Sequence, residues 1–348
     1  MKWWMIIAVA ATMFTVAGCS NDSTEESEPT NTEQDAETME EESEENAAEL
    51  PFTHPLTGMK SEYEAKNRPV AVMINNHPAA RPQTGLVDAD VVYEVLAEGE
   101  MTRFVAIFHS TLPEEVGPVR SAREYHIELV NGYDAAFVTH GWSPGAEQQL
   151  RAGRTDYLSG LQYDGSLFQR SSDRRAPHNS YITFENIKKG IEQEGYEWEA
   201  EVTPLTFYTN DDIQVVGNAA SEVVINYLNR NEVTYSYDET TGMYHRFNGE
   251  MQTVDYKTDE LLEAANLFIV ETGHRVVDDA GRREINLTEG GRGLLIQSGI
   301  ANEVMWKNID GKILPVDENE NEMPLKPGLT WINIVPSSPG MDESVTYN

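Results

Sequence analysis

The chain has 348 residues, a formal net charge of −34 at pH 7 and a single cysteine, Cys19. One thiol excludes an internal disulfide and a multi-thiolate metal site. The acidic balance disfavours nucleic acid and anionic lipid headgroups as partners, since both need a positive face.

The first nineteen residues carry Lys2, an apolar run from Trp3 to Val16, and then Val16-Ala17-Gly18-Cys19. This is the pattern of an export signal. The run is too short to cross ~30 Å of hydrocarbon comfortably. A cysteine directly after Ala-Gly resembles the bacterial lipobox. That resemblance implies that Cys19 is diacylated, becomes the mature N-terminus and anchors the chain on the extracellular face of the cell membrane. Residues 20–50 hold thirteen Asp or Glu, no Lys or Arg, and only Met39 and Leu50 as large apolar side chains. Such a segment cannot offset its ordering entropy by burial, so a disordered acidic tether is expected. Subtracting those thirteen acids and Lys2 from the total leaves −22 on residues 51–348.

Alternating strand and helix signals follow. Pro69–Ile74 is a short apolar run suited to a buried strand. Asp90–Glu98 and Thr102–Ser110 read as a hairpin turned at Gly99-Glu100-Met101. Ala135–His140 is another buried strand. Helices are expected over Ala122–Asn131, Pro144–Ala152 and Glu185–Glu194, the last capped by Gly195. From about Pro204 the texture changes to short strands: Val223–Tyr227, Val233–Tyr237, Met243–Phe247, Leu267–Val270, Gly293–Gln297, Glu303–Lys307 and Thr330–Val335. Turn signals such as Thr240-Thr241-Gly242 and Asn248-Gly249 separate some of them. The expected fold class is α/β: a mixed-sheet α/β N-terminal domain, 51–200, and a β-rich C-terminal domain, 201–348.

Chemistry concentrates in two basic segments. In Gly117-Pro118-Val119-Arg120-Ser121-Ala122-Arg123-Glu124, Ser121 and Glu124 form a capping-box pattern that predicts a helix start. Arg120 and Arg123 then oppose the helix dipole, so a negative group is expected among them. Either a ligand anion supplies it, or Glu94 or Glu98 does as an internal ion pair. Glu94 and Glu98 share one face of their strand, and Arg103 lies across the hairpin, within reach of Glu98. The second segment is Arg170-Ser171-Ser172-Asp173-Arg174-Arg175-Ala176-Pro177-His178-Asn179, a loop rich in ligand-binding residue types. The candidate ligand residues are Arg103, Arg120, Arg123, Glu94, Glu98, Arg175, His178 and Asn179.

Other motifs carry less. Gly141-Trp142-Ser143-Pro144-Gly145 matches a nucleophile elbow, but the oxyanion hole uses the N–H after the serine and Pro144 has none. Ser143 reads instead as an N-cap with proline at the first helical position. The eight histidines show no metal spacing, although His109, His140 and His178 could converge at strand ends. Gly290-Gly291-Arg292-Gly293 reads as a turn. No metal and no cofactor are expected.

Several segments together resemble the YerB-like lipoproteins of Gram-positive bacteria, a family of uncertain function. They are Arg81-Pro82-Gln83-Thr84-Gly85-Leu86, Ala89–Glu94, Glu98-Gly99, Thr102-Arg103-Phe104, Gly117–Arg123 and Ala176-Pro177-His178-Asn179. Later matches are Tyr237-Asp238, Tyr244-His245-Arg246, Asn248-Gly249 and Pro327–Trp331. The resemblance implies a two-domain envelope lipoprotein and supplies no reaction. The reading is a membrane-anchored binding or scaffold protein of the cell envelope with an anion site. Its partners are the membrane through Cys19 and an envelope protein or a cell-wall glycan, with no nucleic acid. The alternative is an envelope hydrolase of a glycan or phosphodiester, with Glu94, Glu98 and His178 as acid–base groups. That chemistry requires carboxylates open to a cleft and not saturated by the arginines.

Overall fold

The computed structural model describes residues 50–209, 215–228 and 231–348. The expected signal and lipobox, and the expected tether up to residue 49, lie outside these residues. Leu50–Asn348 forms one compact unit with its own core.

In chain order the elements that place the site are β1 (Val70–Asn75), β2 (Val91–Leu96), β3 (Thr102–Phe108) and β4 (Glu115–Val116). Then come α1 (Glu124–Asn131), β5 (Ala136–Thr139), α2 (Pro144–Arg151), β6 (Tyr157–Ser159), β7 (Phe168–Arg170), β8 (Ser180–Thr183) and α3 (Phe184–Glu194). The later part supplies β9 (Asn218–Ala219), β10 (Glu222–Tyr227), β11 (Asn231–Asp238), β12 (Met243–Asn248) and β13 (Asn266–Thr272). It continues with β14 (Gly291–Gln297), β15 (Ile300–Ile309), β16 (Lys312–Val316), β17 (Thr330–Pro336) and β18 (Val345–Tyr347). The fold is thus a mixed-sheet α/β arrangement with a strand-rich C-terminal part. The 290–293 run does more than turn: from Gly291 it enters β14, because its backbone pairs with β15.

One eleven-stranded sheet runs β9-β15-β14-β13-β17-β2-β3-β1-β5-β6, with β16 paired to β15. β17 from the C-terminal part lies parallel to β2 from the N-terminal part, Thr330 opposite Val91. Strands from both sides of residue 200 therefore share one sheet. β1, β2 and β3 are buried at every position, as continuous apolar runs require of strands covered on both faces. The expected hairpin joins β2 to β3, with Gly99 at φ +66° in the turn.

Each face of this sheet carries a core. On one side Val92, Phe104 and Trp331 pack with Val223, Tyr227 and Tyr235 of a six-stranded sheet that includes β10, β11, β12 and β18, and with Ile187 and Ile191 of α3. On the other, Met73, Val91 and Tyr93 pack with Ile127 and Val130 of α1 and Leu150 of α2.

The start of α1 corrects the capping expectation. The helix begins at Glu124, not Ala122, and Arg123 is the extended N-cap. His126, at the third helical position, accepts from the Arg123 N–H at 3.0 Å. Ser121 instead donates to the His140 carbonyl, and Glu124 accepts from Ser143. The cause is that residues 118–122 are held extended between neighbouring strands, so no helical turn can form there.

Candidate functional site

β1, β5 and β6 are parallel neighbours, and β1 and β5 separate beyond Val72 and Val138. The 118–122 segment fills the gap. Asn75 N–H donates to Pro118, Arg120 N–H to Met73, and His140 N–H to Arg120. Val119 N–H reaches Ser180 at the start of β8. Arg120 is thereby fixed at the carboxyl ends of parallel strands, where open α/β sheets form their ligand crevices.

The two carboxylates expected nearby are already engaged. Glu94 is fully buried and faces the interior. It accepts from Arg246 Nη2 through both oxygens at 3.0 and 2.8 Å, from Thr102 at 2.8 Å, and from Asn76 and Trp331. Arg246 lies 5.2 Å from the Phe104 ring centre and 4.9 Å from that of Trp331. Glu98 binds Arg103 at 2.9 Å and also Arg123. Burial pushes the Glu98 carboxyl up, but the Arg123 hydrogen bond and the two guanidinium charges outweigh it and hold the group below its ordinary value. Arg103 and Arg123 also donate to the carbonyls of Ser121 and Ala122, both at 2.6 Å. Glu94 is locked to Arg246 in one network, and Glu98 to Arg103 and Arg123 in another. Neither carboxylate is an open acid–base group, so the condition set for a hydrolase is not met at these positions.

Arg120 is different. It is half-buried, and among the described residues its guanidinium has no hydrogen bond and no ion pair. Burial lowers its pKa, as does Arg123, while Glu98 opposes them. Around it stand His140 and His178. His178 is held below its ordinary value by burial, then by the charges of His77, Arg120 and Arg174. His140 is lowered by burial, Arg170 and Arg120, against Asp164. His109 does not join them. It sits near the opposite end of β3, 1% exposed, and its pKa falls to about 4, chiefly by burial.

Hydrogen-bond partners assign the imidazole tautomers. His77 N–H donates to Asn75 Oδ1 at 3.0 Å, so Asn75 Nδ2 faces His178 Nδ1 at 2.9 Å. His77 Nδ1 accepts from Ala79 N–H at 3.1 Å. With Nδ1 accepting in both rings, the N–H of each lies on Nε2. They stack, with centres 4.4 Å apart and planes 22° apart. Arg170 donates to His140 Nε2 at 2.9 Å, which makes His140 Nδ1 the donor to Ser180 at 2.7 Å. Gly160 permits that placement, since a Cβ there would lie 2.1 Å from His140 Nδ1.

The 170–179 loop is pinned rather than free. Arg170 bridges to Asp164 at 2.9 Å. Asn179 holds both limbs, accepting from Arg170 at 3.2 Å and donating to the Ser171 carbonyl at 3.0 Å. Arg174 donates to the Ala80 carbonyl and the Tyr181 hydroxyl and lies over the Tyr256 ring. Arg175 is exposed. Of the residues marked from sequence, the structure thus brings Arg120 and His178 together, with Asn179 supporting their loop. The list omitted Asn75 and His77. Their signal was a polar run, Asn75-Asn76-His77, at the end of a buried strand that pairs in parallel with β5.

The Ser143 reading agrees with the geometry: the hydroxyl caps α2 from Ala146 N–H at 3.2 Å, with Pro144 next. Among the described residues no cluster of three or more His, Cys, Asp or Glu could hold a metal, and no helix is long and apolar enough to cross a membrane. A groove of about 940 Å³ lies between residues 52–55 and 199–207 and shares no residue with the arginine–histidine cluster. Its lining holds Glu64, Glu199 and Glu201 against Lys66, so it is the wrong sign for an anion.

Comparison with known proteins places this geometry in a family. A model described as "Protein of unknown function (DUF3048) N-terminal domain" matches residues 56–197, and its C-terminal counterpart matches residues 223–332. The Bacillus subtilis protein named "Putative lipoprotein YerB" is 49% identical over 286 residues, covering 81% of this chain and 86% of that one. The crystal structure of YerB from Bacillus subtilis superposes with a TM-score of 0.79 at 48% identity, covering 85% of this chain and 99% of the other.

Proposed function

The chain belongs to the DUF3048 family, whose function is unknown, and from that premise we propose that it is a lipid-anchored envelope protein that binds an oxyanion at Arg120. The lipoprotein name of the Bacillus subtilis relative and the Val16-Ala17-Gly18-Cys19 motif support anchoring through Cys19 on the extracellular face. Two acyl chains suffice for stable membrane attachment, where one alone is marginal. The folded unit then works as a binding or scaffold module, with an envelope protein or cell-wall glycan presenting the anion.

One observation carries the binding reading. A half-buried guanidinium without a protein partner sits among imidazole groups in a molecule that is otherwise strongly acidic. Charge-assisted bonds from arginine to an oxyanion are among the strongest polar contacts available. The test is thermal unfolding of residues 50–348 with and without phosphate or sulfate at constant ionic strength. The melting temperature is expected to rise with the anion in the wild type and not in Arg120→Ala. A ligand-free Arg120→Ala protein that melts far below wild type, with no anion effect in either, would assign Arg120 to architecture.

A further inference from the structure

The partners of His77 and His178 restrict what the anion can be. Both imidazoles commit Nδ1 to an N–H of the protein, from Ala79 and from Asn75, so each presents Nε2–H. Among the described residues neither Nε2 has a partner. His140 adds nothing, because its two nitrogens are taken by Arg170 and Ser180. Arg120 contributes a guanidinium, which can only donate. His178 links the other two groups: its ring stacks on His77 and lies within reach of the Arg120 charge. The unengaged groups are therefore three separate donors, which a head with three acceptor oxygens matches.

The positive charge around these donors exceeds one. Arg103 and Arg123 share the single carboxylate of Glu98, and the charge of Arg120 lies within reach of this trio. Arg174, whose charge also reaches His178, hydrogen-bonds only neutral groups: the Ala80 and Pro82 carbonyls and the Tyr181 hydroxyl. Arg170 is balanced by Asp164. Asp173 and Arg175 of the same loop are both exposed and cancel in sign. Five guanidiniums, Arg103, Arg120, Arg123, Arg170 and Arg174, thus face two carboxylates, Glu98 and Asp164, an excess of three positive charges. The net −22 of residues 51–348 does not offset this excess, because exposed charges beyond about 8 Å are largely screened at physiological ionic strength. A carboxylate or a phosphodiester brings one charge and two free oxygens, and a sulfate monoester brings one charge and three oxygens. A phosphate monoester brings three oxygens and about −1.5 to −2 at pH 7. Resting on the oxyanion reading above, we infer that the Arg120–His77–His178 crevice recognises a dianionic phosphate monoester.

Isothermal titration of residues 50–348 at pH 7.5 with methyl phosphate, methyl sulfate and dimethyl phosphate tests this. Methyl sulfate keeps the three oxygens and loses the second charge, whereas dimethyl phosphate loses both the charge and an oxygen. Methyl phosphate is expected to bind about tenfold more tightly than either. Arg120→Ala should abolish binding. Arg120→Lys keeps the charge and loses the planar fork, so it should bind methyl phosphate more weakly and still prefer it to methyl sulfate. His178→Gln keeps an N–H donor near the Nε2 position and should bind better than His178→Ala, a rescue that loss of fold would not give. Methyl sulfate or dimethyl phosphate binding as tightly as methyl phosphate, and still lost in Arg120→Ala, would overturn the dianionic monoester while leaving the oxyanion site standing. No anion binding at all would overturn the site and the class together. A parallel arm offers phosphatidic acid, a lipid with a monoester headgroup, in phosphatidylcholine vesicles. Capture that methyl phosphate competes away places the monoester on a lipid, whereas binding of methyl phosphate without capture places it on a soluble or wall-borne molecule. Either result supports the class.

Discussion

Arg246→Met leaves the Glu94 carboxylate charged and completely buried without its cation. Arg246 gives that carboxylate two hydrogen bonds, donates to Thr253 at 3.0 Å and lies between Phe104 and Trp331. Removing one partner of a buried ion pair costs about 3–5 kcal/mol. Thr102, Asn76 and Trp331 still donate to Glu94, so the lower half of that range is expected, about 3–4 kcal/mol. That is a large share of a typical stability of about 5–15 kcal/mol. Methionine keeps most of the arginine stem volume, which limits the cavity contribution. Glu94→Gln combined with Arg246→Met removes the stranded charge while keeping an acceptor for Thr102. It should recover to within about 1–2 kcal/mol of wild type. The assay is urea unfolding of residues 50–348, followed by tryptophan fluorescence, with Trp331 beside the pair. Because Glu94 and Arg246 tie β2 to β12, one transition with an unchanged slope is expected for all three proteins. Arg246→Met within 1 kcal/mol of wild type, or a double variant no more stable than the single, would refute the lock.

Arg123→Ala should lower stability by about 1–3 kcal/mol, because half-buried Glu98 loses its closest donor, while Arg120→Ala should cost under about 1 kcal/mol in the same urea assay. His109 has a folded pKa of about 4, below the 6.5 of the unfolded chain, so the unfolded state takes up more protons between these values. Stability is therefore lost as pH falls from 6.5 to 4, by up to about 3 kcal/mol from this group, and His109→Phe should flatten that slope in a pH series of melts. Gly160→Ala should push the His140 ring off Ser180 and lower the melting temperature, since overpacking of this kind costs about 1–3 kcal/mol. Cys19→Ala should abolish incorporation of labelled palmitate; label retained on that variant would remove the anchor assignment.

The buried strands were legible because Val70–Ile74 and Val91–Leu96 are apolar throughout, and the Gly99 turn announced the hairpin. Pairing across the chain was not legible. Nothing local in Thr330–Pro336 specifies a parallel partner in β2, and a sequence read in order places it in a separate domain. The same distance hid the partner of Glu94: Arg246 lies 152 residues away, in a strand whose side chains alternate between buried and part-exposed. The arginine-rich 117–123 segment signalled a demand for negative charge, and Glu98 meets it for Arg103 and Arg123. Which arginine stays unpaired depends on how that segment wedges between β1 and β5, a tertiary fact. Asn75 and His77 became recognisable only when β1 was seen to end beside Arg120.

The most direct measurement of the oxyanion site is nuclear magnetic resonance of the arginine Nε–Hε and histidine side-chain signals of residues 50–348, titrated with methyl phosphate. The Arg120 Nε–Hε and the His178 and His77 Nε2 resonances should shift together and saturate, while Arg103 and Arg123, held by Glu98, stay in place. Shifts absent at Arg120, or spread evenly over exposed arginines such as Arg175 and Arg275, would contradict a site at Arg120.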